Sequence, residues 1–181
     1  MAISAVTLLV AWSLCWLALL PACRWAPARP LPPATQTGAG TFGCFLNGEA
    51  WVPAGNNGRP NYQVTYDPGY RGGSLQIKVY RYVGPRRQVL QALALGAVAV
   101  AAPGRYALAL AGPNGAAYTD YGRPAACRHY GEGALSGRTG TLVVSRLDLA
   151  GGVVAGTFAF QLAQPGCDTI TVTQGRFDAK L

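Results

Sequence analysis

Histidine is almost missing from this chain. His129 is the only one among 181 residues, so a Ser-His-Asp or Cys-His site would have to be assembled around it. Acids are scarce too. Glu49, Asp67, Asp120, Glu132, Asp148, Asp168 and Asp178 are the complete set, each isolated in sequence, whereas a paired-carboxylate hydrolase needs two converging on one cleft. There is no acidic calcium loop, no Cys-x-x-Cys and no His pair, so the usual metal patterns are missing and neither metal nor cofactor is expected. Gly131-Glu132-Gly133 and Ser136-Gly137 are too short and irregular to cradle a phosphate, and no Gly-Lys-Ser/Thr follows them. The chain is therefore expected not to be an enzyme. The alternative, a hydrolase using isolated acids or His129, has no motif behind it.

Charge is the next absence, and it is local. Nothing charged precedes Arg24. Val6 to Leu20 is an apolar run long enough for a signal-peptide core, broken by Pro21 just before Ala22 and Cys23. Apolar core, breaker, small residue and cysteine resemble the lipobox of bacterial lipoproteins, which implies cleavage before Cys23 and lipidation of that residue. A plain secretory signal and an uncleaved membrane anchor are the rival readings. As an anchor, the segment would tend to keep the flank bearing Arg24 and Arg29 cytoplasmic, a reducing location that suits the later cysteines poorly. Residues 1–22 are read as the signal peptide. Residues 23–40, with four prolines between Ala26 and Gly40, are read as the lipidated cysteine and a flexible tether.

What remains, residues 41–181, has the size of one domain. With 24 glycines and 13 prolines but half its residues hydrophobic, the chain is turn-rich yet able to build a core. Its net charge of +8 comes almost wholly from arginine, since Lys78 and Lys180 are the only lysines. The basic residues are scattered and only Arg86-Arg87 are adjacent in the expected domain, which is unlike the stripe that a nucleic-acid backbone requires. No nucleic-acid partner is expected.

The punctuation from Thr41 onward is that of an all-β protein. Phe42 to Leu46, Asn47-Gly48 and Glu49 to Val52 read as a hairpin, because Asn-Gly accepts the positive φ that a two-residue turn needs. Tyr62 to Tyr66 is a short strand. Ser74 to Val83 alternates cleanly, with Leu75, Ile77, Val79 and Val83 on one side and Gln76, Lys78, Tyr80 and Tyr82 on the other. Thr141 to Leu149 and Val153 to Leu162 form a second hairpin, and Thr169 to Thr173 leads to a bulge expected at Gly175. Asp178, close to Arg176, is expected to join a strand-edge ion pair. The Ala/Leu-rich stretch from Gln88 to Ala102 satisfies helix propensity as well; the reading preferred is a strand from Val89 to Leu95, then a loop. Eight to ten strands at this spacing predict an antiparallel β-sandwich or open barrel.

Cys127 precedes the first strand of the second hairpin and Cys167 follows the other, so both should reach its open end. Cys127–Cys167 is the expected disulfide, with Cys44 a buried free thiol. Pairing of either with Cys44 stays open, because connectivity is not deducible from sequence.

Thr41-Phe42-Gly43-Cys44, Asn47-Gly48, Trp51-Val52-Pro53, Gly156-Thr157-Phe158-x-Phe160, Cys167-Asp168-x-Ile170 and Gly175-Arg176-Phe177-Asp178 resemble an uncharacterised family of small secreted lipoproteins of Bacteroidota-type bacteria. The resemblance covers about residues 41 to 181. It implies an exported, β-rich, lipid-anchored domain and brings no activity, ligand or catalytic residue.

One cluster stands out for binding. Tyr80, Tyr82, Lys78 and Arg81 lie in a window crowded with tyrosine and arginine, and on an exposed sheet face they would offer stacking and positive charge to a sugar ring or an acidic polymer. The expectation is a lipid-anchored cell-envelope protein, exported to the periplasm or outer membrane, acting as a non-enzymatic binding or interaction module. Its partners would be the membrane, through the anchor, and a glycan, a polyanion or an envelope protein. A structural component of an envelope assembly is the remaining alternative.

Overall fold

The computed structural model describes residues 30–131 and 137–181, so the leader and Cys23 lie outside the described residues. Eleven strands are present: β1 Thr41–Leu46, β2 Glu49–Trp51, β3 Tyr62–Asp67, β4 Ser74–Val83, β5 Val89–Val98, β6 Gly104–Ala107, β7 Gly115–Asp120, β8 His129–Tyr130, β9 Gly137–Asp148, β10 Val153–Ala163 and β11 Ile170–Lys180. Two antiparallel sheets form from them. The first has the order β2-β1-β11-β10-β9-β6 and the second the order β3-β4-β5-β7-β8. They face each other as a sandwich and do not close into a barrel.

Alternation decides which side chains meet between the layers. The first sheet contributes Phe42, Leu142, Val144, Phe158, Phe160, Leu162, Ile170, Val172 and Phe177, and the second contributes Leu75, Ile77, Val79, Leu93, Leu95 and Tyr118, all buried. Phe42 stacks on Phe158 at 5.2 Å between centroids and touches Tyr62 of the opposite sheet at 5.6 Å. Trp51 is wholly buried at the edge of the first sheet.

The local expectations resolve individually. Asn47 and Gly48 both have positive φ, as a two-residue hairpin turn requires. The Ala/Leu-rich stretch is strand from Val89 to Val98, three residues beyond the expected end. Pairing on both flanks, with β4 and with β7, holds it extended against its helix propensity. The bulge in β11 is present, since Phe158 faces Gly175 while Phe160 faces Val172. Gln174, at φ 49°, is the residue in the left-handed region.

Cys127 and Cys167 form a disulfide with Cα atoms 5.7 Å apart. It fastens the 3-10 turn Ala125–Cys127, which leads into β8, to the loop after β10. Cys44 is free and fully buried. Burial pushes its thiol pKa up to about 12, with Arg81 acting weakly the other way. Disulfides persist in oxidising surroundings, so this pair points to a compartment other than the cytoplasm.

Asp178 departs from expectation. It is 1% exposed and forms no ion pair among the described residues; its carboxylate accepts hydrogen bonds from the hydroxyl of Thr35 and from the backbone N–H groups of Thr37, Gly38 and Ala39, at 2.6–3.2 Å. It lies on the outer face of β11, opposite the core side chain of Phe177 and on the same side as Arg176. Thr35 to Ala39 cover it there, and Arg176 instead reaches the carbonyls of Gln174 and Pro32. Arg146 adds a bond to the carbonyl of Gln36. The domain's contacts therefore begin ahead of the expected boundary at residue 41, and Thr35 to Ala39 is strapped to β11.

Candidate functional site

The outer face of the second sheet carries an extended groove with an aromatic wall. Its floor follows from small residues at outward positions, Ala92 and Ala94 on β5 and Ala117 on β7. Registers across the sheet place Gln63, Lys78, Ala94 and Ala117 in one row. The next row is Tyr80, Ala92, Thr119 and His129. Gln63, Lys78 and Tyr80 rise on the side of β3 and β4 while Ala92, Ala94 and Ala117 stay low, which makes a trough of about 360 Å3. A further stretch of about 250 Å3, lined by Gln76, Gly96, Gly115 and Arg138, shares Lys78, Ala94 and Ala117 with the first and continues it along the strands.

Tyr80 is fixed as the wall. Its hydroxyl meets Asn57 Oδ1 at 2.8 Å and the carbonyl of Arg59 at 2.5 Å, and its ring packs edge-on against Tyr82 at 5.7 Å. The loop that receives it is held by side-chain turns in which Asn56 and Asn57 accept from the N–H groups of Gly58 and Arg59. Tyr82 stands behind this wall: its hydroxyl accepts from Asn57 Nδ2 and its ring lies against Gly55. Lys78 and Arg59 are exposed beside the groove. No acidic side chain lines either stretch among the described residues.

Arg81 does not belong to this face. As the residue between Tyr80 and Tyr82 it must point the other way, and it enters the edge of the core. Its guanidinium lies 5.2 Å from the Trp51 ring, donates to Gln91 Oε1 at 2.7 Å and to the carbonyl of Ala50. Gln91 also accepts from Trp51 Nε1 and donates to Asp120, which accepts again from the Tyr118 hydroxyl. Burial lowers the pKa of Arg81 below its usual value and raises that of Tyr118. This network joins polar groups from both sheets.

His129 lies one strand beyond Thr119, outside the groove lining. Its Nδ1 is 3.3 Å from the hydroxyl of Thr119, and its ring meets Tyr121 edge-on at 5.9 Å. The acids do not gather near it: Asp168 pairs with Arg123, Asp148 with Arg146, Asp178 with the strap and Asp120 with the inner network. Glu132 lies outside the described residues. No group of three histidine, cysteine or acidic side chains comes together among the described residues.

A larger depression of about 640 Å3 crosses the outer face of the first sheet, between Arg105 and Arg176. No tyrosine borders it among the described residues. Sequence reasoning located Lys78, Tyr80 and Tyr82 but missed Arg59, Ala92, Ala94, Ala117 and Thr119. The alanines carried a signal, since their every-other-residue spacing in β5 was open to reading as a small-residue strip on one face.

Comparison of the chain with protein-family models, with curated proteins and with solved structures returns no match.

Proposed function

We propose that this chain is a non-enzymatic binding module of the cell envelope that holds a saccharide in the groove on the outer face of the second sheet. The observation that carries the reading is the groove itself, an alanine floor beside the immobilised ring of Tyr80. Flat apolar surfaces stack on the C–H face of a sugar, while Asn57, Gln63 and Thr119 supply donors and acceptors at the margins. A pinned aromatic loses little side-chain freedom on binding. Among the described residues, isolated acids and a histidine bonded to a threonine give no general acid and base facing one another, which favours binding over hydrolysis.

The export signal and lipidation of Cys23 complete the reading: the acyl chain, with Pro-rich residues behind it, would hold the domain at a membrane surface. The disulfide accords with such a location. A glycan array probed with the purified domain tests the function. Binding that falls at least tenfold in Tyr80→Ala, with Arg105→Ala unchanged, is the expected result. Absence of binding to every saccharide, or capture of an envelope protein that ignores Tyr80→Ala, overturns it. Intact mass of membrane-fraction protein tests the anchor, which requires acyl mass on Cys23 and loss of Met1 to Ala22.

A further inference from the structure

We infer that the saccharide is acidic and lies lengthwise along β5, its anionic groups beside Arg59 and Lys78. This rests on the groove being a saccharide site and adds the ligand's charge and direction. Direction follows from the walls. Across the strands the groove is bordered by Tyr80 with its loop on one side and by Thr119 on the other, whereas along the strands the floor runs on through Ala92, Ala94 and Gly96. From Leu90 to Gly96 that path is about 20 Å at strand rise, long enough for several sugar rings in line. Glycine at Gly96 leaves the floor without a side chain, as is usual where a ligand approaches a strand closely, and Gly115 leaves room for the Arg138 guanidinium, 3.3 Å from where its β-carbon would stand.

Charge follows from the borders. Arg59 and Lys78 are exposed at mid-groove and take part in no ion pair among the described residues. Arg86 and Arg87, exposed in the turn between β4 and β5, stand beyond the Leu90 end. Arg138 stands at the Gly96 end, its guanidinium placed by bonds to the carbonyls of Gly131, Ala109 and Asn114. Cations at both ends and in the middle, with no carboxylate lining the floor, match a chain bearing repeated negative charge and leave a neutral one without counter-charges. Stacking on Tyr80 and the hydrogen-bonding margin separate such a chain from a bare polyanion.

Three probes decide it, each titrated calorimetrically into the exported, disulfide-bonded protein: an oligogalacturonate of six or more units, the same oligosaccharide with its carboxyls reduced to alcohols, and polyphosphate of matched charge. The acidic oligosaccharide is expected to bind at least tenfold more tightly than the reduced one, with a strong salt dependence. Lys78→Ala and Arg59→Ala should each weaken it about fivefold and flatten that salt dependence. Ala94→Gln, which fills the floor while removing no contact, should abolish it. Equal binding of acidic and reduced forms overturns this inference and leaves the saccharide groove standing. Polyphosphate binding as tight as the acidic sugar, and unaffected by Tyr80→Ala, also overturns it, because charge alone would then account for affinity. Binding of neither saccharide overturns this inference, and the groove reading falls with it only if the glycan array is blank as well.

Discussion

Phe158 lies over Gly175 of the neighbouring strand, and in return Phe177 of that strand lies over Gly156, so the two central strands of the first sheet exchange ring for glycine. A β-carbon added at Gly175 would fall 2.3 Å from the Phe158 ring, and one at Gly156 would fall 2.8 Å from the Phe177 ring and 2.0 Å from the carbonyl oxygen of Val143. These pairs are in register, Phe158 with Gly175 and Gly156 with Phe177. Overpacking a core of this kind costs about 1–3 kcal/mol or more. Gly156→Ala is expected to lose at least about 3 kcal/mol, because main chain as well as ring must move, and Gly175→Ala somewhat less. Urea unfolding monitored by tryptophan fluorescence measures both; a loss below about 0.5 kcal/mol in Gly156→Ala would contradict the packing described.

The strap predicts acid sensitivity. Burial alone would raise the carboxyl pKa of Asp178, but the bonds from Thr35, Thr37, Ala39 and Gly38 prevail and hold it below the ordinary carboxylate value. A group depressed on folding adds stability above its unfolded pKa, near 4, and that stability is lost as pH falls through the lower, folded value. The wild type should therefore weaken below about pH 4 by an amount that Asp178→Asn does not show. At pH 7, Asp178→Asn should cost about 2–3 kcal/mol from lost charge-assisted bonds. Denaturant melts across pH 2–7 provide the test, and parallel curves for the two proteins would refute it.

Reduction should loosen the second sheet's edge. The bond between Cys127 and Cys167 closes a loop with a sequence separation of 40, for which loop entropy gives about 4 kcal/mol. The double variant Cys127→Ser/Cys167→Ser is expected to lose roughly that amount. Maleimide labelling of the native protein should find no reactive thiol in residues 30–181, because Cys44 is buried with a pKa pushed up to about 12. Labelling should appear at Cys44 on unfolding.

The inner network should fail when its hub is removed. Asp120 accepts from both Gln91 and Tyr118 and lies 3.6 Å from Arg123. Asp120→Ala would leave these partners unsatisfied at a low-exposure site, at an expected cost of about 3 kcal/mol. Saccharide binding at the opposite face of the sheet should be unchanged in the variant that remains folded at low temperature. A stability change under about 1 kcal/mol would show that water replaces the carboxylate readily.

Much of the fold was legible because a period of two is a strong signal wherever one face is buried. Ser74 to Val83 gave its inward and outward sets directly, and Asn47-Gly48 gave its turn. The end of β5 was not legible, since Ala and Leu favour a helix and only the flanking strands override them. The partner of Asp178 was invisible too: the strap lies 143 positions away from it at Thr35, and sequence proximity pointed to Arg176. Arg81 was placed with the tyrosines by adjacency, when the alternation already recognised in that strand assigns it to the core side.

By itself the sequence determined most of the residues that extend and where the chain turns, because these depend on backbone preference and short-range geometry; that Cys127 pairs with Cys167 and leaves Cys44 free was settled by the packing of the strands. Tertiary structure alone decided that alanines from two strands separated by a turn and β6 line up as a floor, that Asn57 and Arg59 lock Tyr80 beside it, and that Asp178 holds the segment ahead of the first strand. Those depend on strand order and register, which are fixed by how two sheets fill one core and leave no mark in any short run of residues.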